Sequence, residues 1–322
     1  MMQSKLSVHA GNKPTGLQDF ERVANPAVIY CINNTVTPVN SNTVTIRRVQ
    51  NDVWHRLPDA MGQPNYFKPV SQGGIDPIVA ARNELLLKKI YVPKHGMMNL
   101  IQFWQLGKAD YYAPYNEPVL GESVDHIEKA QWLCAYTCEA LTIARVYGLH
   151  LSIFSFASGN PHPDTLPHLE PAAMLCAEYG GVIDLHEYGI EGALMSSPSS
   201  GAFGYRRMYN AFAYCPPIVI SEASSGNGYD TGLSGAAWVA DMAAYGRELM
   251  RDPYVIGACA FQLDQGAESH IDKSALMQYA DAAANIVQQP EPEIISVSVR
   301  IHRQYVDELK EWAAIRGGTV TA

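Results

Sequence analysis

The chain has 322 residues, of which 47% are hydrophobic and 17% are charged, and its formal net charge at pH 7 is −9. These values are typical of a globular protein with a large core and exclude a disordered chain. The acidic balance argues against nucleic acid as a partner, because binding to a phosphate backbone needs clustered Lys and Arg. No apolar run has the length of a signal peptide or a membrane helix, so we expect a cytoplasmic protein without a membrane partner.

Strand patterns recur as short apolar or β-branched runs that end in polar residues. The clearest covers residues 218–221, a run that fits a buried parallel strand and ends at Glu222. The third strand ends at Arg47 and Arg48. The predicted strands cover residues 5–9, 26–32, 43–46, 109–115, 149–156, 181–186, 218–221 and 255–263, and residues 99–105 form a further strand or a short helix.

Helical spacing of apolar residues alternates with these strands. Asp76 and Pro77 mark the start of a predicted helix over residues 76–90, because Asp is a good cap and Pro fits the first helical position. Ser123 is the predicted cap of the longest helix, which Gly148 ends. The predicted helices cover residues 17–23, 76–90, 123–147, 168–179, 205–214, 235–251 and 273–287, and residues 50–74 are irregular.

About eight strand–helix units of this length imply a parallel sheet. No Gly-rich phosphate loop follows the first strand, so a closed (β/α)8 TIM barrel is favoured over an open doubly wound sheet. The active site of such a barrel lies at the C-terminal ends of its strands. The polar residues at those ends are His9, Arg47 or Arg48, Asn116, Glu117, His186, Tyr188, Glu222, and Gln262 or Asp264.

Two domains follow from the composition. Residues 1–287 form the barrel, and residues 288–322 begin with a stiff acidic Pro/Glu linker. A strand over 294–300 and a helix over 304–315 are too small to bury a core of their own. The tail therefore packs on the barrel, associates with a second copy or begins a further domain, and the sequence leaves these alternatives open.

Glu117 and Glu222 each follow a predicted strand, and two such carboxylates are the chemical minimum for glycoside hydrolysis. One carboxylic acid protonates the leaving oxygen while the other, ionised, attacks the anomeric carbon. A nearby guanidinium and a tyrosine hydroxyl favour the ionised form of the nucleophile. Aromatic neighbours and a nearby negative charge help the acid to keep its proton.

Three motifs resemble glycoside hydrolase clan A, the retaining glycosidases on a (β/α)8 barrel. They are Asn116-Glu117-Pro118 at the fourth strand, His186-Glu187-Tyr188 at the sixth and Ser221-Glu222 at the seventh. The resemblance implies a carbohydrate substrate and no metal or other cofactor. It also implies that Glu117 is the general acid/base, that Glu222 is the nucleophile, that Asn116 contacts the sugar 2-hydroxyl, that His186 and Tyr188 orient the carboxylates, and that Arg47 or Arg48 keeps Glu222 ionised.

The sequence departs from the clan at the eighth strand, where members commonly present a tryptophan and this chain has Phe261. Other aromatic residues are candidate surfaces for stacking on sugar rings, although packing beneath loops is the commoner role for any one of them. These candidates are Trp54, Trp104, Tyr112, Tyr115 and Tyr229.

Metal and thiol sites are disfavoured. The six cysteines have neither a CxxC pair nor dense spacing, so we interpret them as buried free thiols in a reducing compartment. Cys134 and Cys138 would be neighbours on one helix face, where core packing is favoured over metal binding. His162, Asp164 and His168 have ligand chemistry, but the prolines among them favour an exposed loop.

Other hydrolase classes lack their motifs. His186-Glu187 has no second histidine four residues after the first, as a zinc protease needs, and the serines near Glu222 form no G-x-S-x-G elbow. The serious alternative to a glycosidase is a barrel that binds carbohydrate without cleaving it. Transglycosylation would use the same residues as hydrolysis, and sequence does not separate the two.

Overall fold

The computed structural model describes residues 3–32, 36–49, 70–92, 94–118, 120, 124–189, 195, 202–225, 233, 235–264, 271 and 273–288. Trp54, Tyr229, the predicted cap Ser123 and the tail from residue 289 lie outside these residues. The domain division at residue 287 therefore stays a prediction. Across the described helices, none combines the length and the apolar character needed to cross a membrane.

Eight parallel strands form a barrel, and two further strands form an antiparallel hairpin beside it. The strands are β1 (Leu6–Ala10), β2 (Val28–Ile32), β3 (Val44–Arg48), β4 (Ile90–Val92), β5 (Gly96–Met98), β6 (Tyr111–Ala113), β7 (Ser152–Phe156), β8 (Val182–Tyr188), β9 (Ile218–Ser224) and β10 (Val255–Leu263), of which β4 and β5 form the hairpin. The barrel order is β6-β3-β2-β1-β10-β9-β8-β7, and a parallel bridge between Tyr112 and Leu151 joins the two edges. This confirms the predicted TIM barrel.

Eight α-helices accompany the strands in the described part of the chain. They are α1 (Leu17–Ala24), α2 (Pro77–Arg82), α3 (Leu100–Leu106), α4 (His126–Val146), α5 (Leu166–Glu178), α6 (Gly204–Ala211), α7 (Gly235–Met250) and α8 (Lys273–Gln288). The Asp76 carboxylate accepts hydrogen bonds from the N–H groups of Ile78 and Val79, which confirms this residue as a cap.

Two predictions of local structure need adjustment. The helix predicted over residues 76–90 is too long, because α2 ends at Arg82, a π-helical turn follows and Ile90 already belongs to β4. The undecided segment at 99–105 is a helix. Asn99 and Gln102 explain this choice, since each side chain accepts a hydrogen bond from the other's backbone N–H in a capping box.

Alternation along the strands sorts side chains between the barrel interior and the helices. Inward residues of the lower barrel form an apolar cluster that includes Val28, Val182 and Val219. Outward residues such as Ile29 and Ile183 belong to the larger core that includes the helices. Polar side chains replace the apolar ones toward the C-terminal ends of the strands, and this is where the functional site is expected.

Candidate active site

Glu117 and Glu222 meet in the barrel mouth, with His186 between them. His186 Nδ1 lies 2.9 Å from Glu117 Oε1 and 3.5 Å from Glu222 Oε2. One oxygen of each glutamate and this nitrogen all lie within 4.8 Å of one another. Carboxyl groups in retaining glycosidases are separated by about 5–5.5 Å and those in inverting enzymes by about 6.5–9.5 Å. The 4.8 Å in this protein is an upper bound between one oxygen of each carboxyl group, and it is shorter than both of these ranges.

Glu222 is held by charged and polar groups from three other strands. Arg48 Nη2 lies 3.0 Å from its Oε1, and the Tyr188 hydroxyl donates to its Oε2 at 2.7 Å. Arg48 also donates through Nη1 to the Asn116 side-chain oxygen. His9 Nδ1 lies 3.8 Å from Glu222 Oε1. The carboxylate is therefore surrounded by donors, and only 7% of its side chain is exposed.

These contacts decide the charge of Glu222. Burial alone would raise its pKa, but the charges of His186 and Arg48 and the hydrogen bond from Tyr188 outweigh burial and hold the pKa at about 2. Burial would lower the pKa of His186, whereas the charge of Glu222 and the hydrogen bond to Glu117 raise it above its ordinary value. Burial lowers the pKa of His9 to about 3, so this ring is neutral at pH 7. The Glu222 carboxylate is thus ionised at neutral pH.

A β-bulge in β9 brings Glu222 into the mouth. Val219 belongs to the interior cluster and Ile220 to the outer core, so strict alternation would turn Ser221 inward and Glu222 outward. The register with β8 shifts at this point, from Leu185 opposite Ile220 to His186 opposite Glu222. One extra residue re-aims the following side chain. Glu222 therefore faces the same space as His186.

Glu117 is held differently. Its backbone has a φ of +46° and its N–H donates to the Ser155 carbonyl at 2.9 Å. A left-handed conformation is unfavourable for a glutamate by about 1 kcal/mol or more, and such strain is typical of functional positions. The side chain is 34% exposed, and it forms a hydrogen bond with His186. Glu117 therefore reaches solvent, and Glu222 does not.

The two candidate arginines lie on opposite faces of β3. Arg48 enters the mouth, whereas the Arg47 guanidinium stacks on the Phe103 ring of α3 at 4.4 Å from its centroid. The structure thus selects Arg48 of the pair. Arg47, predicted as an alternative substrate contact, lies outside the barrel interior because adjacent strand residues point to opposite faces.

The aromatic candidates are divided between core and mouth. Trp104 and Tyr112 are buried and stack on each other, and the Tyr115 hydroxyl is 2.7 Å from that of Thr137. These three residues belong to the hydrophobic core and are not sugar-stacking surfaces in the barrel mouth. Phe261 instead lies in the mouth, where its ring contacts those of Tyr188 and His9 edge-on.

Three further polar residues lie on or next to the barrel strands without contacting the two site glutamates directly. Asp264 accepts hydrogen bonds from the N–H groups of Asn12 and Lys13, which fixes the turn that follows β1. Glu187 faces outward and accepts from the Tyr245 hydroxyl. Asp184 lies inside the barrel and was not predicted from the sequence. Its signal was a carboxylate between the apolar residues Ile183 and Leu185 of a buried strand, where a buried charge needs partners.

A second group with metal-ligand chemistry lies at the start of α4. It comprises His126, His162 and Asp164, whose ligand atoms lie within 4.8 Å of one another. His126 takes the place predicted for His168, which contacts Gln131 instead. The six cysteines are free, with Cys138 and Cys215 half-buried and the others buried.

Neither a family model nor a curated protein matches the sequence. Solved structures do match. A β-glucuronidase of Bifidobacterium dentium, complexed with coumarin-3-O-glucuronide, has 10% identity and a TM-score of 0.50 over 88% of this chain and 47% of that one. The barrel is similar to those of glycoside hydrolases. A second match is a GH5-4 broad specificity endoglucanase of Clostridium acetobutylicum, with 12% identity and a TM-score of 0.49 over 88% of this chain and 99% of that one. A third is a GH128 (subgroup I) endo-β-1,3-glucanase of Amycolatopsis mediterranei in complex with laminaripentaose, with 15% identity and a TM-score of 0.46 over 87% of this chain and 99% of that one.

The likeness confirms the predicted resemblance to (β/α)8 glycoside hydrolases at the level of the fold. One fold hosts many reactions, so identities of 10 to 15% do not transfer an activity. The chemistry has to be argued from the groups in the mouth.

Proposed function

We propose that the protein is a retaining glycoside hydrolase that acts through a covalent intermediate on Glu222. The observation that carries this proposal is the pair of glutamates on either side of His186, with oxygens within 4.8 Å of each other. One is buried and ionised at neutral pH, and the other reaches solvent. Double displacement needs this division, because the nucleophile must be charged while the acid exchanges protons.

In the first step, Glu222 attacks the anomeric carbon and Glu117 donates its proton to the leaving oxygen. The bond between the anomeric carbon and that oxygen breaks as the ester to Glu222 forms. Arg48 and Tyr188 stabilise the carboxylate until it attacks. Because Asn116 uses its carbonyl oxygen to accept from Arg48, its amide N–H groups remain for the 2-hydroxyl of the sugar.

In the second step, Glu117 removes a proton from water, and the hydroxide oxygen attacks the same carbon from the side that the leaving group left. Esterification has by then removed the negative charge of Glu222, which favours an ionised Glu117. The ester bond breaks and Glu222 is restored as a carboxylate. Two inversions give net retention of anomeric configuration.

Glu117→Ala tests the division of roles. A panel of aryl glycosides that differ in leaving-group acidity first identifies a hydrolysed sugar. The variant should then lose kcat/KM steeply on poor leaving groups and little on dinitrophenolates, which leave without protonation. Its kcat should fall on all of them, because the second step has lost its general base. Added azide should restore turnover and yield a glycosyl azide of retained configuration, because azide needs no general base.

A uniform loss of kcat/KM on all leaving groups without azide rescue would contradict the assignment of Glu117. Absence of turnover on every glycoside, together with saturable binding of oligosaccharides, would instead favour a carbohydrate-binding barrel.

A further inference from the structure

Asp184 is a buried carboxylate directly beneath the two glutamates. It has no exposed surface and lies on β8, two residues before His186. Ile183 and Leu185 on either side belong to the outer core, so alternation turns Asp184 into the barrel, like His186. It therefore occupies the layer between the apolar barrel floor and the mouth.

The neighbours of Asp184 connect it to the site. The Ser155 hydroxyl of β7 donates to its Oδ2 at 2.6 Å. Charges that act on the carboxylate include those of His186 and Arg48, the two groups that lower the pKa of Glu222. The polar and titratable groups that face Asp184 from the surrounding strands are Tyr30 of β2, Arg48 of β3, Ser155 of β7, His186 of β8, Ser221 of β9 and Cys259 of β10.

Burial of a carboxylate without a partner charge costs free energy. Here the partner charges are those of Arg48 and His186, which also contact Glu222. Arg48 and His186 each have a carboxyl group on both sides, Asp184 below and a glutamate above. Without Asp184, Glu222 would be the one fully buried carboxylate beside both Arg48 and His186.

We infer that Asp184 is a positioning residue, whose buried carboxyl group acts electrostatically on His186 and Arg48 and orients both toward Glu222. The inference rests on the proposed function for its catalytic meaning. Burial raises the pKa of Asp184, and His186, Ser155 and Arg48 oppose that rise. In its ionised form the carboxylate strengthens proton binding throughout the cluster above it, because it adds negative charge.

Asp184→Asn is the direct test, since it keeps the shape and removes the charge. His186 should titrate at a lower pH than in the wild type, as followed by ring-nitrogen NMR with a His186→Asn variant for assignment. On a hydrolysed glycoside, the alkaline limb of the pH–rate profile should move to lower pH. kcat at the wild-type optimum should fall roughly 10- to 100-fold, the usual range for residues that support the groups contacting substrate.

Ser155→Ala is the second variant, in case the first does not fold. It removes the hydroxyl that favours ionised Asp184, so His186 should shift in the same direction by less. Glu187→Gln is the matched control, because Glu187 is equally buried on the same strand but faces outward. It should shift the His186 titration least of the three.

An unchanged titration and unchanged pH limbs in Asp184→Asn, with a lower kcat alone, would overturn the inference and leave a structural role. Equal shifts in Asp184→Asn and Glu187→Gln would also overturn it. The NMR titration needs no turnover, so a protein that hydrolyses no glycoside would refute the proposed function while the charge coupling is still measured.

Discussion

Glu222 and Glu187 are buried glutamates on neighbouring strands, with 5% and 1% of their surfaces exposed. Glu187 accepts hydrogen bonds from the Tyr245 hydroxyl at 2.5 Å and from the backbone N–H groups of Phe203 and Tyr205 at 2.9 and 3.0 Å. Burial raises its pKa to about 7, and these donors only moderate the rise. Glu222 has cations as partners, and its pKa is about 2.

Burial alone therefore does not determine whether a carboxyl group is ionised. Both glutamates are desolvated and both are hydrogen-bonded, but only the inward one has Arg48 and His186 beside it. Inside the barrel the protein maintains an anion that can attack. Outside it, a carboxyl group that titrates near neutrality holds the start of α6 against the strand.

The largest expected effect is a difference in kcat between variants of Glu222 and Glu187. Glu222→Gln should reduce kcat on an aryl glycoside by on the order of 10⁴- to 10⁶-fold, because removal of a covalent nucleophile eliminates the main path. Glu187→Gln should stay within about tenfold of the wild type, since it contacts no reacting group. Steady-state kinetics on both variants checks this. Similar losses in the two would mean that the inner and outer faces do not differ in function.

Removal of the guanidinium tests whether the cation or the hydrogen bonds hold Glu222. Arg48→Met should lower the free energy of unfolding by about 3–5 kcal/mol, because it leaves a buried carboxylate without its main partner. Arg47→Met on the opposite face is the control and should lose about 1 kcal/mol, its contact with the Phe103 ring. Urea denaturation at pH 7 measures both. Equal losses would contradict a special role for Arg48.

Glu187 and Glu222 should make the free energy of unfolding depend on pH in opposite directions. The pKa of Glu187 is about 7 in the folded protein and 4.5 ordinarily, so its contribution is fully present below pH 4.5 and is lost by pH 7. The pKa of Glu222 falls from 4.5 to about 2, so its contribution is present above pH 4.5 and is lost toward pH 2. Each shift corresponds to about 3 kcal/mol.

Comparison of the wild type with Glu187→Gln and Glu222→Gln isolates the pH dependence that each glutamate gives to the free energy of unfolding. The wild type should lose stability relative to Glu187→Gln as the pH rises from 4.5 to 7. It should gain stability relative to Glu222→Gln as the pH rises from 2 to 4.5. Unfolding free energies from urea titrations across both windows provide the measurement, and slopes of the same sign would contradict the comparison.

The smallest effect comes from the two tyrosines that donate to the glutamates. Tyr188→Phe and Tyr245→Phe should each lower the free energy of unfolding by about 1–3 kcal/mol at pH 7, with the larger loss at Tyr188 because its acceptor is fully charged. Thermal unfolding of the two variants side by side tests this. A larger loss at Tyr245 would indicate that Glu187 is the more strongly charged of the two.

Much of the fold follows from the sequence, because strand-length apolar runs alternated with helical spacing. The eight barrel strands lie where that pattern predicts them. Glu117 follows the fourth strand, and His186 and Glu222 lie toward the C-terminal ends of the sixth and seventh. The choice between Arg47 and Arg48 needed the register of β3. No local pattern predicts the bulge that turns Glu222 inward, since a bulge is defined by its pairing with β8.

Asp184 and Glu187 show a second limit. Residues 182–188 form a strand, but the sequence does not say which carboxylate lies inside the barrel. Once the register is known, alternation assigns Asp184 to the interior and Glu187 to the helix side. Trp104 and Tyr115 likewise belong to the core through contacts with residues distant in sequence, which spacing does not reveal.

The central claim is that Glu222 forms a covalent bond with the sugar. An activated 2-deoxy-2-fluoroglycoside of the hydrolysed sugar, with a dinitrophenolate leaving group, slows the second step and accumulates that intermediate. Intact mass should increase by one fluorosugar, and peptide mapping should place it on Glu222, with Glu222→Gln unlabelled. No adduct despite turnover, or an adduct on Glu117, would contradict the account.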